Sequence, residues 1–116
     1  MKIERVNSEI AKILTEVIGE DIKDPRVSEC KMLTIMSVDT SADLGVALVF
    51  VSVMDGDPEA VIEGLNAAKG YLRNALFKRM KIRTVPELKF LLDTSVDYGF
   101  KIDKILQQLK KEEASD

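Results

Sequence analysis

The stretch Asn66-Ala67-Ala68-Lys69-Gly70-Tyr71-Leu72-Arg73-Asn74-Ala75-Leu76-Phe77-Lys78-Arg79-Met80 reads as a helix with a glycine in its middle. A basic helix follows the glycine, and then a Lys81-Ile82-Arg83 exit. A glycine inside a helix costs about 1 kcal/mol relative to alanine, because it loses the most backbone freedom and packs no side chain. A chain that carries one there needs a compensating reason. Positive charge clusters directly after it, at Arg73, Lys78, Arg79, Lys81 and Arg83. A bent helix pair that presents those charges to RNA accounts for both facts.

Upstream of this stretch, Asp55-Gly56-Asp57-Pro58-Glu59 is a helix-start signal. Asp57 suits the N-cap, Pro58 the first helical position and Glu59 the positive end of the helix dipole. Val61, Ile62, Leu65 and Ala68 then fall on one face; beyond Gly70, Tyr71, Leu72, Ala75, Leu76 and Met80 restart a stripe. Val46 to Met54 is rich in β-branched residues and apolar on both faces, which predicts a central strand. Lys31 to Thr40 alternates imperfectly, with Met32, Thr34, Met36 and Val38 on one side and Leu33, Ile35 and Ser37 on the other. It reads as a second strand, joined to the first by the turn cluster Thr40-Ser41-Ala42-Asp43-Leu44-Gly45.

The N-terminal segment 3–20 places Val6, Ile10, Ile13, Leu14, Val17 and Ile18 at helical spacing, with Gly19 as the expected terminator. Asp24-Pro25-Arg26 predicts a turn, since proline disfavours helix at the residue before it. Downstream, Pro86 ends a loop, and Leu88, Phe90 and Leu92 alternate with Lys89, Leu91 and Asp93 as a third strand. Phe100, Ile102, Ile105, Leu106 and Leu109 mark a last amphipathic helix, and residues 110–116 read as a frayed tail. The order is helix, strand, strand, helix–bend–helix, strand, helix. One sheet covered by helices gives an α+β two-layer fold, expected as a single domain over residues 1–109.

Composition excludes several classes. The chain has no histidine and one cysteine, Cys30. No internal disulfide, Cys/His zinc site or histidine-based catalytic arrangement can be assembled from that set. Cys30 reads as a small apolar residue entering a strand. The aspartates at 39, 43, 55 and 57 lie at strand ends and turns; Asp55-Gly56-Asp57 lacks the further ligands of a calcium loop. No metal, no cofactor and no catalytic role are expected. With no apolar run near the roughly 20 residues of a membrane span and no leader-like segment, a cytoplasmic location away from membranes is expected. The net charge is −3, yet its distribution is uneven. Residues 24–60 carry two basic and seven acidic side chains, whereas residues 61–89 carry seven basic and two acidic ones. Local sign, not the total, sets where a polyanion docks.

The combination Asp24-Pro25-Arg26, the hairpin, Ala68-Lys69-Gly70-Tyr71-Leu72-Arg73, and Arg83-Thr84-Val85-Pro86-Glu87-Leu88-Lys89-Phe90 with Asp93 and Ser95 resembles bacterial ribosome-binding factor A. The resemblance runs from Arg5 to about Leu106. It implies a type II KH-like fold with a mixed three-stranded sheet. It implies that an interhelical Ala-x-Gly kink, here Ala68, Lys69 and Gly70, replaces the GxxG loop with which ordinary KH domains clamp RNA. It further implies a non-enzymatic, cytoplasmic ribosome-assembly factor, expected as a monomer. Such a factor binds the small (30S) subunit and its 16S rRNA late in assembly, assists processing of the rRNA 5′ region and acts in cold adaptation. Ribosomal proteins or other assembly factors are further implied partners.

Two readings of the kink remain open on the residues alone. In one, the RNA-binding set is Lys69, Gly70, Arg73, Lys78, Arg79, Lys81 and Arg83, with Arg26 beside it. Phosphates then meet a helix N-terminus and a basic track. In the other, the break only lets two helices pack, with the arginines solvated and Arg26 an ordinary turn residue. Tyr71 lies on the apolar stripe and is expected in the core. Six aromatics without tryptophan form no stacking platform. A protein-interaction module whose acidic hairpin (Asp39, Asp43) docks a basic ribosomal protein is the rival function.

Overall fold

The computed structural model describes residues 2–93. Helix α1 spans Ile3–Asp21, α2 Pro25–Ser28, α3 Pro58–Ala67 and α4 Lys69–Met80. Strand β1 spans Leu33–Thr40, β2 Val46–Val53 and β3 Glu87–Leu92. The sheet order is β1-β2-β3; β1 and β2 are antiparallel and β2 and β3 parallel. This is the α+β, type II KH-like order with a mixed sheet. The predicted last helix, the tail and Ser95 lie outside the described residues.

Hydrophobic periodicity explains which faces meet. Val6, Ile10, Leu14, Val17 and Ile18 are buried along α1, which packs on β1 and α4. On the sheet, Val38 of β1, Ala47, Val49 and Val51 of β2, and Leu88 and Phe90 of β3 point into the same core. Val61 and Leu65 of α3 and Leu72, Leu76 and Met80 of α4 complete it. The central position of β2 agrees with its two-sided apolar pattern. Asp57 caps α3 as the sequence predicts: its carboxylate accepts from the Glu59 N–H at 3.0 Å, with Pro58 at the first turn.

The structure changes four local expectations. First, β1 is not one continuous alternation. Ile35 pairs with Val51 and Ser37 with Phe50, so Met36 is an extra, unpaired residue. This bulge shifts the phase, and Leu33 and Ile35 before it share the inner face with Val38 and Thr40 after it. Second, Gly19 does not end α1, which runs on to Asp21. Third, Asp24-Pro25-Arg26 opens a one-turn helix; Asp24 accepts from the Arg26 N–H at 3.0 Å. Fourth, Cys30 lies ahead of β1 and its thiol donates to Asp55 Oδ1 at 3.1 Å. Burial first, and then that bond, push the thiol pKa up, the opposite of a reactive thiolate.

Asp55 and Gly64 fix how the elements join. The Asp55 carboxylate also accepts the Lys31 and Met32 N–H groups at 3.1 and 2.9 Å, closing the loop that enters β1. Gly64 is where α3 crosses α2. A Cβ at Gly64 would sit 2.7 Å from Val27 Cγ2 and 3.2 Å from Arg26 Cβ. Val27 is buried and β-branched, so it cannot turn away.

Two outcomes follow from these contacts. Gly64→Ala should destabilise the chain by about 1–3 kcal/mol in urea unfolding, overpacking outweighing the gain in helix propensity. The Cys30 thiol, then the Met32 and Lys31 amides, hold the Asp55 carboxyl below its ordinary 3.8. A depressed carboxylate contributes stability that is complete above the unfolded pKa and is lost as pH falls through the folded one. Thermal melting on acidification below about pH 5 should therefore fall less steeply for Asp55→Ala than for the wild type; parallel slopes would refute the clamp.

Candidate nucleic-acid interface

The helix break lies at Ala68, one residue between α3 and α4, with φ −92° and ψ 4°. The Ala68 N–H donates to the Gly64 and Leu65 carbonyls, and the Ala68 carbonyl accepts the Leu72 N–H at 3.0 Å. Gly70 is thus not the break but the second residue of α4. No side chain caps α4. The Asn66 carbonyl accepts one backbone N–H at the break, and the positive end of the α4 dipole carries no side-chain acceptor. A Cβ built on Gly70 meets nothing within 4 Å. Packing within the described residues therefore does not require glycine there.

The basic residues of the stretch divide between two flanks of α4. On a 3.6-residue helix, Lys69, Arg73 and Phe77 follow one another at four-residue steps, with Gly70 beside them. Lys81 sits at the C-cap, in the left-handed region at φ 54°. Lys78 and Arg79 lie on the other flank, toward α1. There Arg79 pairs with Glu16 at 3.0 Å, and the Tyr71 hydroxyl donates to Asp21 at 2.7 Å. Tyr71 is 53% exposed, so it is not the core residue its stripe predicts. Its bond to Asp21 raises the phenol pKa, because ionisation removes the donated proton.

Arg73 has a structural task that sequence reasoning missed. Its Nε and Nη2 donate to the Pro86 and Val85 carbonyls at 3.2 and 2.9 Å, fastening the loop that leads into β3. Arg26 is likewise engaged. It pairs with Asp24 at 2.7 Å and with Glu63 at 3.7 Å. The Arg26 guanidinium holds the Asp24 carboxyl below its ordinary value. No salt bridge within the described residues engages Lys69, Lys78, Lys81 or Arg83. The kink thus joins an open glycine, a helix start without a side-chain cap and Lys69 at one end of α4, with Lys81 and Arg83 at the other.

Residues 2–106 match the family model for ribosome-binding factor A. The chain belongs to the ribosome-binding factor A family. It is 44% identical to ribosome-binding factor A of Brevibacillus brevis, over 96% of this chain and 91% of that one. The Caldanaerobacter subterraneus protein of the same name is 40% identical, over 97% and 92%. Its fold is similar to the crystal structure of ribosome-binding factor A from Thermus thermophilus, with TM-score 0.70, 28% identity and coverage of 78% and 94%. It is also similar to coordinates of the Thermus thermophilus factor fitted into a cryo-EM map of a 30S complex, with TM-score 0.61, 30% identity and coverage of 73% and 88%.

The open site at Gly70 makes a direct stability forecast. Gly70→Ala should stabilise the isolated chain by roughly 0.5 kcal/mol, because the methyl group meets no neighbour and reduces the entropy of the unfolded chain. A lower urea midpoint would show that the glycine serves the fold itself.

Proposed function

We propose that this chain binds the small ribosomal subunit late in its assembly and assists maturation of the 16S rRNA, including its 5′ region. It acts there as a cytoplasmic, monomeric, non-catalytic factor with a role in cold adaptation. Residues 1–109 form the RNA-binding domain. The Ala68-Lys69-Gly70 kink approaches the rRNA backbone, with Lys69, Lys81 and Arg83 as the principal charges. Arg73 supports them from the same flank; Arg79 and Arg26 reach RNA only by giving up or sharing their carboxylate partners, and Lys78 contributes from the flank toward α1.

The observation that carries this reading is Gly70. It costs helix stability and yet has open space around it. A glycine of that kind allows another backbone to come close to the helix start beside it, which no side chain caps. The full-length membership in a family of ribosome-binding factors and the 30S complex of the Thermus thermophilus relative support the choice of partner. Contacts of this type give affinity with strong salt dependence and little sequence reading.

The rival acidic-hairpin docking has less to work with. Asp43 is spent on the turn, where its Oδ1 accepts from the Ser41 hydroxyl at 2.7 Å and the Gly45 N–H at 2.9 Å. Only Asp39 remains for a partner. Co-sedimentation with small subunits separates the two readings. Lys69→Glu with Lys81→Glu leaves the Arg73 fastening intact and should weaken association at least tenfold and flatten its salt dependence. Asp39→Lys should leave association unchanged. Normal binding by the double charge reversal would sink the kink as the RNA contact.

A further inference from the structure

Phe77 is 54% exposed and takes no part in the core or in the half-buried layer packed against it. Tyr71 is equally exposed, but its hydroxyl is held by Asp21. Phe77 has no polar handle and gains nothing from burial. Phenylalanine is also a weaker helix former than the lysine or alanine that such a surface position readily accepts. A lone exposed apolar residue is ordinary on a protein surface. The setting of this one is not. It lies on the flank of α4 that carries Lys69 and Arg73, one turn beyond Arg73 and one turn before Lys81. Seven residues separate it from Gly70, which is two turns or about 10.5 Å along the axis.

We propose that Phe77 is a stacking site for one unpaired nucleobase of an RNA strand whose phosphates run along Lys69, Gly70 and Lys81. The proposal rests on the RNA-binding reading above and adds the chemical class it selects: single-stranded or splayed-out RNA rather than a continuous duplex. A phenyl face accepts any base by its π-surface, so the contact is tolerant of base identity. In a continuous A-form helix the bases are stacked inside and present no face to a side chain. A protein partner fits the flank less well. One aromatic ring among cations offers little of the roughly 800 Å² per partner, with an apolar core depleted in charge, that stable protein interfaces bury. The positive flank complements phosphates.

The test uses the full chain and two probes at fixed low salt: a short adenine-rich single-stranded RNA carrying one 2-aminopurine, and a blunt RNA duplex of equal length. Phe77→Ala should bind the single strand about tenfold more weakly, with the salt slope unchanged and duplex binding unaffected. Quenching of 2-aminopurine by the wild type should be lost in Phe77→Ala and kept in Phe77→Trp. The ring is exposed, so Phe77→Ala should melt with the wild type, which keeps folding out of the comparison. Equal single-strand binding by wild type and Phe77→Ala overturns the proposal. So does full affinity in Phe77→Leu, which signals a generic apolar contact such as a protein would make, and so does wild-type binding to neither probe. Lys69→Glu with Lys81→Glu distinguishes the layers. If that variant loses subunit binding while Phe77→Ala behaves as wild type on the single strand, only stacking fails; if the charge reversal itself binds subunits normally, the RNA-binding reading fails.

Discussion

Parallel pairing of β2 with β3 is the constraint from which the rest of the molecule follows. Val46 opposes Glu87 and Val51 opposes Leu92, so the chain must return from the end of β2 to its beginning before it can pair again. A parallel connection needs a dozen or more residues and a covering element for the sheet. Here α3 and α4 supply both. The single-residue break at Ala68 divides the two. Arg73 then fastens the return loop through the Val85 and Pro86 carbonyls, immediately before β3 begins. The kink thus lies inside the crossover, and a helix start falls in mid-connection.

The charge of α4 is divided between its two flanks. On the flank against α1, Glu16 pairs with Arg79 and Asp21 accepts from the Tyr71 hydroxyl, because two helices in contact gain from matching donors with carboxylates. The opposite flank faces the return loop, where backbone carbonyls engage Arg73 and no carboxylate pairs with Lys69 or Lys81 among the described residues. A chain with net charge −3 can thus keep one positive surface. Attraction for a polyanion depends on local field within about 10 Å at ordinary salt, not on the molecular total.

Much of this is legible in the residues. Period-3.6 and period-2 patterns place every helix and strand of the described chain except α2, and Asp57-Pro58 announces the start of α3. Asp24-Pro25 is the same device, an aspartate cap before proline. It reads as a turn because only four helical residues follow, too few to show periodicity. The β1 bulge is visible only as an imperfect alternation, since the inserted Met36 is itself apolar. Gly64 gives no signal; its reason is the side chain of Val27, far away in sequence. At the site, basic residue types are readable but their allegiances are not. Arg73, Arg79 and Arg26 acquire carbonyl or carboxylate partners 12 and 13, 63, and 37 positions away, contacts that only the fold brings about.

The bulge at Met36 has a bearing on how the protein survives in a crowded cell. Strand β1 is a sheet edge, and a regular edge presents a row of unpaired N–H and C=O groups to any passing strand. An extra residue in its middle breaks the spacing of that row and increases the local twist. A second copy laid alongside β1 can keep register on one side of Met36 only. The irregularity that blurs the strand in the sequence is thus a guard against edge-to-edge aggregation at the edge that β1 forms among the described residues.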